Sequence, residues 1–432
     1  MKWLLRGFLL VLAVLLAGIA WWLFGPHPDS AAVRRAGQLA AGENLADPAL
    51  VERGRYLATV GDCAACHTAR NGQPFAGGHV VPTPFGNIPA PNITPDDDTG
   101  LGRWTFTDFW RALHEGKGRH GQFLYPAFSY TAYTRVTRDD ALAIFAYLKS
   151  LTPVHRPSAA PELPFPYNIR QGLAAWRALY FRPGVYSPDP ARSDAWNRGA
   201  YLVQGLGHCN ECHARRDALG GIPAQPPLSG GEIPAQDWYA PDLGTRAHGG
   251  LEGWSAQDIV QLLKTGQSAK GSAFGPMAEV VSRSTQHMTD ADLAAIATYL
   301  KSLPARPGPQ VAADPAIDAT VSRHRGAAIY ARHCAACHGD DGQGVAGVYP
   351  PLDGNSSVDE PTGINAIRVV LLGGFPPVTA GNPRPYSMPP FAQSLSDAEV
   401  AAVVSYVRHA WHNQAPPVLE RDVGKYRQTP ID

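Results

Sequence analysis

The chain has 432 residues, too many for one ordinary hydrophobic core and enough for about three domains. Lys and Arg (37) balance Asp and Glu (37), which excludes a global basic field for binding nucleic acid and an acidic excess typical of disorder. The 44 glycines and 40 prolines indicate short helices joined by long ordered loops.

The N-terminal segment, residues 1–30, differs from this soluble composition. Lys2 and Arg6 precede an uncharged run, Gly7–Gly25, which at about 1.5 Å per helical residue approaches the roughly 30 Å core of a bilayer. A cleaved signal peptide is the alternative, with a small-residue site at Gly18–Ala20. A transmembrane signal anchor in the inner membrane is favoured because the apolar run continues through Trp21–Phe24. Either interpretation exports the following domains to the periplasm.

A motif of two cysteines three residues apart, followed directly by histidine, occurs three times. Its copies lie about 120 to 150 residues apart, which indicates an internal repeat. The copies are Cys63, Cys66 and His67; Cys209, Cys212 and His213; and Cys334, Cys337 and His338. Together they use all six cysteines of the chain.

Each motif follows a short helical stretch with a glycine near its start. These glycines are Gly54, Gly199 and Gly326. We expect this helix to cross the helix that closes each copy at close range, where a side chain would hold the two apart. Simple flexibility at the helix start is the alternative interpretation.

Each copy closes with a second amphipathic helix that begins at a capping residue. An acid three residues after the cap predicts a capping box, and a tyrosine ten residues after the cap falls on the apolar side. The cap, acid and tyrosine are Thr137, Asp140 and Tyr147 in the first copy, Thr289, Asp292 and Tyr299 in the second, and Ser396, Glu399 and Tyr406 in the third.

The repeats predict three helical domains and their connections. The aromatic linker between the first two is either buried between domains or partly exposed as a docking or membrane-surface patch. The polar tail is expected to be irregular. The predicted boundaries are 1–30 for the anchor, 45–155 for domain one, 156–193 for the aromatic linker, 194–304 for domain two, 305–320 for a second linker, 321–414 for domain three and 415–432 for the tail.

The repeated motif is the attachment signal for c-type haem. Two thiols on one helical turn can both reach the vinyl groups on one porphyrin edge, and the next residue places its imidazole beneath the iron. Zinc sites, thioredoxin-like pairs and disulfides are disfavoured because every cysteine pair is followed by histidine and no cysteine is left over. The sequence therefore predicts three covalently bound haem c groups, with His67, His213 and His338 as proximal iron ligands.

Methionines are the expected sixth ligands of the second and third haems, because Met opposite His is an electron-transfer arrangement. Met388 lies in a proline-fixed loop before the last closing helix, and Met277 lies in a similar loop of the second copy. Met288 directly precedes the helix cap Thr289 and is better explained as packing.

The first copy contains no methionine in its domain. Pro126 corresponds to Pro276, and Ala127 or Phe128 fills the methionine position. His120, in the same loop, is the first candidate for the sixth ligand of haem one. Lys149, His114, His79 and an open iron are the alternatives. A bis-histidine iron generally has a lower potential than a His/Met iron, which would place haem one at the electron-entry or quinone-facing end.

With these motifs in place, the exported part resembles the three-haem cytochrome c subunit of membrane-bound, quinone-linked dehydrogenases of acetic-acid bacteria and relatives, which oxidise alcohols, gluconate or aldehydes. The resemblance extends from about residue 50 to residue 411. It is carried by APNITPDDDTGLGRWTFTDFWRAL, LYPAFSYTAYTR, WNRGAYLVQGLGHCNECHARRDALGG, GPMAEVV and YSMPPF. Some relatives have methionine in the LYPA loop, where this chain has Phe128.

The resemblance implies an all-α fold of three tandem class I cytochrome c domains behind a transmembrane helix. It also implies a catalytic partner subunit that carries pyrroloquinoline quinone, flavin or a molybdenum cofactor, and delivery of electrons to ubiquinone. The chain carries no motif for binding nucleotide, flavin or molybdopterin, so substrate chemistry would belong to that partner. No nucleic acid is expected as a partner. The alternatives are a stand-alone or oxidase-linked electron shuttle, and a haem enzyme or gas-binding protein acting through the first haem.

Overall fold

The computed structural model describes residues 2–24, 35, 38, 43–223, 227–244, 250–304 and 319–427. Within these residues the chain is mainly helical, and its strands form short two-stranded hairpins, which confirms the expected all-α class. Residues 25–30 of the predicted anchor, residues 305–318 of the second linker and residues 428–432 of the tail lie outside the described residues.

The chain divides into two compact units. One contains Met1–Leu57, Cys66–Ser187 and Asp217–Ala224. The other contains Ala58–Ala65, Pro188–Arg216 and Gln225–Asp432. The second and third motifs therefore lie within one unit.

The N-terminal helix, α1, runs from Lys2 to Phe24. Its large apolar side chains Leu10, Val11 and Val14 are exposed. Among the residues described, no helix combines the length and the apolar character needed to cross a membrane.

The first domain packs its helices around an aromatic core. Thr105 begins α4 with a capping box to Asp108, and Phe106 and Trp110 on this helix are fully buried. The elements are α2 (Pro48–Val60), α3 (Cys63–His67), β1 (Val80–Thr83), β2 (Gly86–Pro89), α4 (Phe106–Glu115), α5 (Tyr130–Tyr133) and α6 (Arg138–Ser150), followed in the linker by α7 (Leu173–Tyr180). Strands β1 and β2 are antiparallel, with Val80 opposite Pro89.

The second domain repeats this plan with one irregular helix. Helix α8 continues as a π-helical turn, Leu202–Leu206, and the motif itself begins a 3-10 turn, Cys209–Glu211. The elements are α8 (Asp194–Tyr201), β3 (Gly231–Ile233), β4 (Trp238–Ala240), α9 (Ala256–Thr265), β5 (Gln267–Ser268), β6 (Gly271–Ser272), α10 (Pro276–Arg283) and α11 (Asp290–Lys301). Antiparallel pairing places Gly231 opposite Ala240.

The third domain consists of helices joined by long loops, and its described residues form isolated bridges but no hairpin of strands. Its core is formed mainly by aliphatic side chains of its middle and closing helices, among them Ile367, Leu371, Val400 and Val404. The elements are α12 (Ala319–His333), α13 (Ala335–His338), α14 (Ile364–Leu372), α15 (Asp397–Val407) and α16 (Glu420–Arg427).

The C-terminal tail is not irregular, and this prediction is wrong. Helix α16 buries Val423 and Tyr426 in the core of the third domain. Arg427 also pairs with Asp397 at the start of α15. The tail reads as polar because few of its residues are apolar, but those few lie on one helical face.

The predicted close helix crossing is confirmed in all three domains. A Cβ atom added at Gly54 would lie 2.8 Å from the Tyr147 Cβ atom and closer still to the carbonyl of Ala143. Gly199 and Gly326 make the same approach to Ala295 and Ala402. Because the obstacle is mainly backbone, which cannot rotate away, only glycine fits these positions.

Of the three predicted capping boxes on the closing helices, only the one in the third domain has both of its hydrogen bonds. There Ser396 N–H donates to Glu399, and the Ser396 hydroxyl accepts from Glu399 N–H. In the first two domains Thr137 and Thr289 cap their helices. The carboxylates three residues later form ion pairs with an arginine of the crossing helix. These pairs are Arg53 with Asp140 and Arg198 with Asp292.

The aromatic linker is partly buried and partly exposed. Ala174 and Phe181 are buried, while Phe165, Tyr167 and Leu179 are exposed. Trp176 Nε1 donates to the Leu219 carbonyl at 3.0 Å. The linker thus packs on its own unit through one face and presents apolar groups on the other.

We predict that Gly199→Ala destabilises the folded protein by about 1 to 3 kcal/mol, because the new methyl group overpacks a backbone contact. Thermal unfolding followed by circular dichroism measures the effect. Gly172→Ala is the matched control, because no atom lies within 4 Å of an added Cβ there and its φ is −60°. Equal melting temperatures for the two variants would contradict the close crossing as a stability constraint.

Candidate functional site

Each cysteine–histidine motif forms a single helical turn. The first is α3, Cys63–His67; the second begins the 3-10 turn Cys209–Glu211; the third places Cys334 directly before α13. In the second and third copies the N–H groups of the second cysteine and of the histidine both donate to the carbonyl of the first cysteine, as His213 N does to Cys209 O at 2.9 Å. Two thiols and one imidazole are therefore presented together by a short, fixed segment.

The three motif histidines are held by the same hydrogen bond. The Nδ1 atom of His67 lies 2.7 Å from the Pro91 carbonyl, that of His213 lies 2.7 Å from the Pro241 carbonyl, and that of His338 lies 3.0 Å from the Pro350 carbonyl. A carbonyl only accepts, so Nδ1 carries the proton and Nε2 keeps its lone pair. Each ring is therefore oriented and in the tautomer that binds a metal through Nε2.

The three carbonyl partners were not predicted from the sequence. Pro91 and Pro241 occur as Ala-Pro-Asn and Ala-Pro-Asp, and Pro350 occurs in Tyr-Pro-Pro. Their distances along the chain from the motif histidines differ between copies, so spacing alone does not identify them. The Ala-Pro-Asn/Asp string that the first two copies share could have identified Pro91 and Pro241 by comparison of the copies.

Burial sets the protonation of these groups. It lowers the pKa of His67, His213 and His338, so the imidazoles are neutral at pH 7. Burial also raises the pKa of the Cys209 thiol to about 12 and that of Cys334 to about 11. Both of these thiols are therefore protonated at pH 7.

The third domain contains a cavity of about 190 Å³ at its motif. Cys334, Cys337 and His338 line one side of the cavity, and Met388 lines it from the loop before α15. Met388 is fixed by its backbone, which exchanges hydrogen bonds with Gly374 at 2.8 and 3.1 Å. The remaining walls include Leu352, Val358, Val370, Phe391 and Val404. Two thiols, an oriented imidazole and a thioether around an apolar cavity are the donor set that fits a c-type haem.

The two methionines of the second domain lie in different surroundings. Met277 is the second residue of α10, after Pro276, and is partly exposed. Met288 is 3 % exposed and packs in the core, where its carbonyl accepts from Lys264. Met277 stays the predicted sixth ligand of the second haem, and Met288 lies in the core.

A family model described as cytochrome c matches residues 51–152, 197–304 and 324–411, one match for each motif. The chain belongs to the cytochrome c family. The matches cover more than half of the sequence, and each includes one motif and the helix that closes its domain.

Similar proteins are cytochrome subunits of several dehydrogenases. The cytochrome c subunit of alcohol dehydrogenase (quinone) from Gluconobacter oxydans (strain 621H) is 41% identical over 89% of this chain and 83% of its own. The gluconate 2-dehydrogenase cytochrome c subunit of Pantoea cypripedii is 38% identical over 90% of this chain and 92% of its own. The fructose dehydrogenase cytochrome subunit of Gluconobacter japonicus is 38% identical over 87% and 82%. The expected resemblance is confirmed.

Three of the four side chains proposed as a sixth ligand in the first domain of this cytochrome are committed or placed elsewhere. Both ring nitrogens of His114 contact backbone carbonyls, of Trp110 and Val136, at 3.0 and 2.7 Å. Lys149 Nζ donates to two carbonyls in the loop before α4. His79 is close enough to lower the pKa of the His67 imidazole, which places it near the proximal ligand.

His120 is exposed, and its backbone N–H donates to Gln122 at 3.1 Å. Phe128, in the position corresponding to methionine, packs against Tyr133 with ring centroids 5.5 Å apart. His120 therefore stays the predicted sixth ligand of the first haem.

The three copies differ in the number of residues between the crossing glycine and the motif, and the backbone before the motif differs accordingly. From the crossing glycine to the first cysteine the spacing is nine residues in copy one (63 minus 54), ten in copy two (209 minus 199) and eight in copy three (334 minus 326). Copy three reaches its motif through an uninterrupted helix. Copy one uses a left-handed residue, Asp62 (φ 49°), and copy two uses a π-helical turn and left-handed His208 (φ 40°).

Asp62 carries an unusual carboxyl group. Burial raises its pKa to about 7, Arg283 lowers it and Glu279 raises it. Its Oδ1 atom is buried and finds no hydrogen-bond partner among the described residues. Between pH 4 and pH 7 the folded chain therefore holds a proton that the unfolded chain releases, so this group makes stability fall as pH rises.

We predict that Asp62→Asn is more stable than the wild type at pH 8 by roughly 2 to 4 kcal/mol, because the amide bears no charge to desolvate and tolerates the left-handed conformation. The difference should shrink towards pH 4. Urea unfolding of the haem-loaded protein at several pH values measures it. Glu252→Gln, at an exposed carboxyl, is the control. A difference between Asp62→Asn and wild type that is the same at pH 4 and pH 8 would refute the assignment.

Proposed function

We propose that the protein is a three-haem electron-transfer subunit that passes electrons from a dehydrogenase catalytic subunit to ubiquinone or the respiratory chain. The observation that carries this proposal is the meeting of Cys334, Cys337, His338 and Met388 around one apolar cavity. The same imidazole orientation at His67 and His213 supports a haem at each of the other motifs. When bound, the haems supply one-electron chemistry.

The chain's own residues define what each site does. The cysteines attach the porphyrin, the Nδ1–carbonyl bonds orient the imidazoles, and the apolar walls exclude water. A low-polarity site with a thioether ligand favours the reduced iron, because Met/His ligation raises the reduction potential. The second and third sites are therefore suited to accept electrons from a partner of lower potential.

The partner is inferred from the similar proteins, which are named as subunits of alcohol, gluconate and fructose dehydrogenases. A quinoprotein, flavin or molybdenum subunit would hold the substrate. This chain is proposed to carry electrons only, with no substrate catalysis of its own.

We propose that residues 1–30 hold the protein at the inner membrane with its haem domains in the periplasm. Lys2 and Arg6 precede the apolar run, and the exposed side chains of Leu10, Val11 and Val14 support contact with lipid. The described part of α1 does not reach the length and apolarity of a span, so this proposal depends on the sequence pattern. Carbonate extraction of full-length protein and of a variant lacking residues 2–24 tests it, because only the full chain should stay with the membrane.

An open first iron is the second candidate, and it would bind a small gas or peroxide. The commitment of His114 and Lys149 to backbone carbonyls favours it. An oxidase-linked shuttle is the remaining alternative to a dehydrogenase subunit.

Detergent purification from native membranes tests the main proposal. We expect about three haems per chain in a pyridine haemochrome assay, a copurifying dehydrogenase subunit identified by mass spectrometry, and reduction of the haems by that subunit's substrate. Far fewer haems would refute the three-haem reading. Copurification of an oxidase core with no dehydrogenase would refute the partner assignment.

We predict that Met277→His and Met388→His each lower the potential of one haem by on the order of 0.1 V or more, because imidazole replaces a thioether. Spectroelectrochemical titration resolves the change. Met288→Leu is the control, since Met288 packs in the core, and it should leave all three potentials in place. If Met288→Leu shifts a potential as much as Met277→His does, the assignment of Met277 as the ligand is wrong.

We predict that the reduced wild type does not bind carbon monoxide and that His120→Ala binds it at one haem, because the substitution opens one iron. The Soret difference spectrum measures binding. His155→Ala, which removes another exposed imidazole of the first unit, is the control and should behave as wild type. Carbon monoxide binding by the wild type would instead support the open first iron.

A further inference from the structure

One loop of the second domain belongs to two haem sites. The segment from β6 to the start of α10 carries the predicted ligand Met277 at its end. Earlier in the same loop, Ser272, Ala273 and Phe274 line the cavity that contains Cys334, Cys337, His338 and Met388. Both sites lie within one compact unit. A wall of the third site is therefore built by the ligand loop of the second.

The Phe274 ring is held in place from within its own domain. Its centroid lies 5.6 Å from that of Trp238, with the planes tilted by 53°. The next residue, Gly275, has a φ of 53°, and a Cβ atom there would lie 2.8 Å from the Trp238 indole. The loop thus turns tightly against Trp238 and directs the phenyl ring to the cavity of the third domain.

The strand that carries Trp238 is in turn fastened to the third domain. Tyr239 N–H donates to the Asn365 side-chain oxygen at 3.0 Å, and the Asn365 amide donates to the Tyr239 carbonyl at 2.8 Å. The Arg368 guanidinium lies over the Trp238 ring, 4.6 Å from its centroid. Asn365 and Arg368 are 2 % and 3 % exposed. Buried polar contacts of this kind require a fixed fit between the two domains.

We propose that Phe274 is the bridging residue through which the second and third haem sites exchange electrons. It lies in the loop that ends at Met277 and lines the cavity that contains Met388, and its ring has no polar atoms. Each transfer oxidises one iron by one electron and reduces the other by one, and no bond forms or breaks. The inference rests on the proposed electron-transfer function and names the route within it.

Rapid injection of electrons into the haem-loaded, full-length protein tests the bridge. A photoexcited deazaflavin donates one electron, and absorbance in the α-band then follows redistribution between the haems. Phe274→Leu removes the ring but keeps an apolar side chain. We expect it to slow redistribution between the second and third haems by about tenfold, which corresponds to about 1.4 kcal/mol in activation free energy.

Two variants separate bridging from packing. Phe375→Leu is the matched control, because Phe375 belongs to the third domain but is exposed and does not line the cavity, and it should exchange electrons at the wild-type rate. Phe274→Tyr keeps an aromatic ring and should restore fast exchange. Soret circular dichroism shows whether the haems keep their mutual orientation. If Phe274→Leu loads fewer than three haems, Phe274→Ile provides the same comparison.

The results distinguish this inference from the proposed function. Wild-type exchange in Phe274→Leu, or equal slowing in Phe375→Leu, overturns the bridge. Three haems per chain would still leave the electron-transfer function standing. A haem content far below three in the wild type would overturn the function itself. Slowing confined to Phe274→Leu, with rescue by Phe274→Tyr and an unchanged dichroism spectrum, supports the bridge.

Discussion

The structure depends on a backbone-to-backbone contact between two helices in each domain. Gly54, Gly199 and Gly326 bring the helix before each motif against the closing helix with no side chain between them. This contact sets where the motif emerges, and hence where its thiols and imidazole lie. The neighbouring arginine–carboxylate pairs, such as Arg198 with Asp292, add a second fixed point to the same crossing. An enlarged residue at the crossing would move the motif relative to the loop that supplies the opposite ligand.

The crossing positions the imidazole, and the proline carbonyl determines its chemistry. A carbonyl at Nδ1 fixes the ring plane and leaves one nitrogen to bind iron, so metal binding needs no tautomer change. Three different spacings between histidine and proline lead to one arrangement. The selected feature is therefore the position of a carbonyl oxygen and not a residue at a given distance in the sequence.

The sequence was sufficient for features that repeat in register. The motifs, the crossing glycines and the closing helices all follow from comparing the three copies. It was insufficient where the copies differ in length: nothing in the spacing indicates that Asp62 and His208 take left-handed conformations to absorb extra residues. It was also insufficient for residues that act through a backbone carbonyl, such as Pro350. The short tail helix was missed because Val423 and Tyr426 are too few to produce a strong periodic pattern.

The shared loop limits which domains of the chain can be exchanged. A domain that supplies part of its neighbour's cofactor wall cannot be exchanged for another copy of the repeat, even though the two share motif and topology. A substitution at Trp238, Phe274 or Asn365 changes contacts in both domains at once. The second and third domains must therefore change at this contact as a matched pair, and a chimaera built from two relatives should exchange them together.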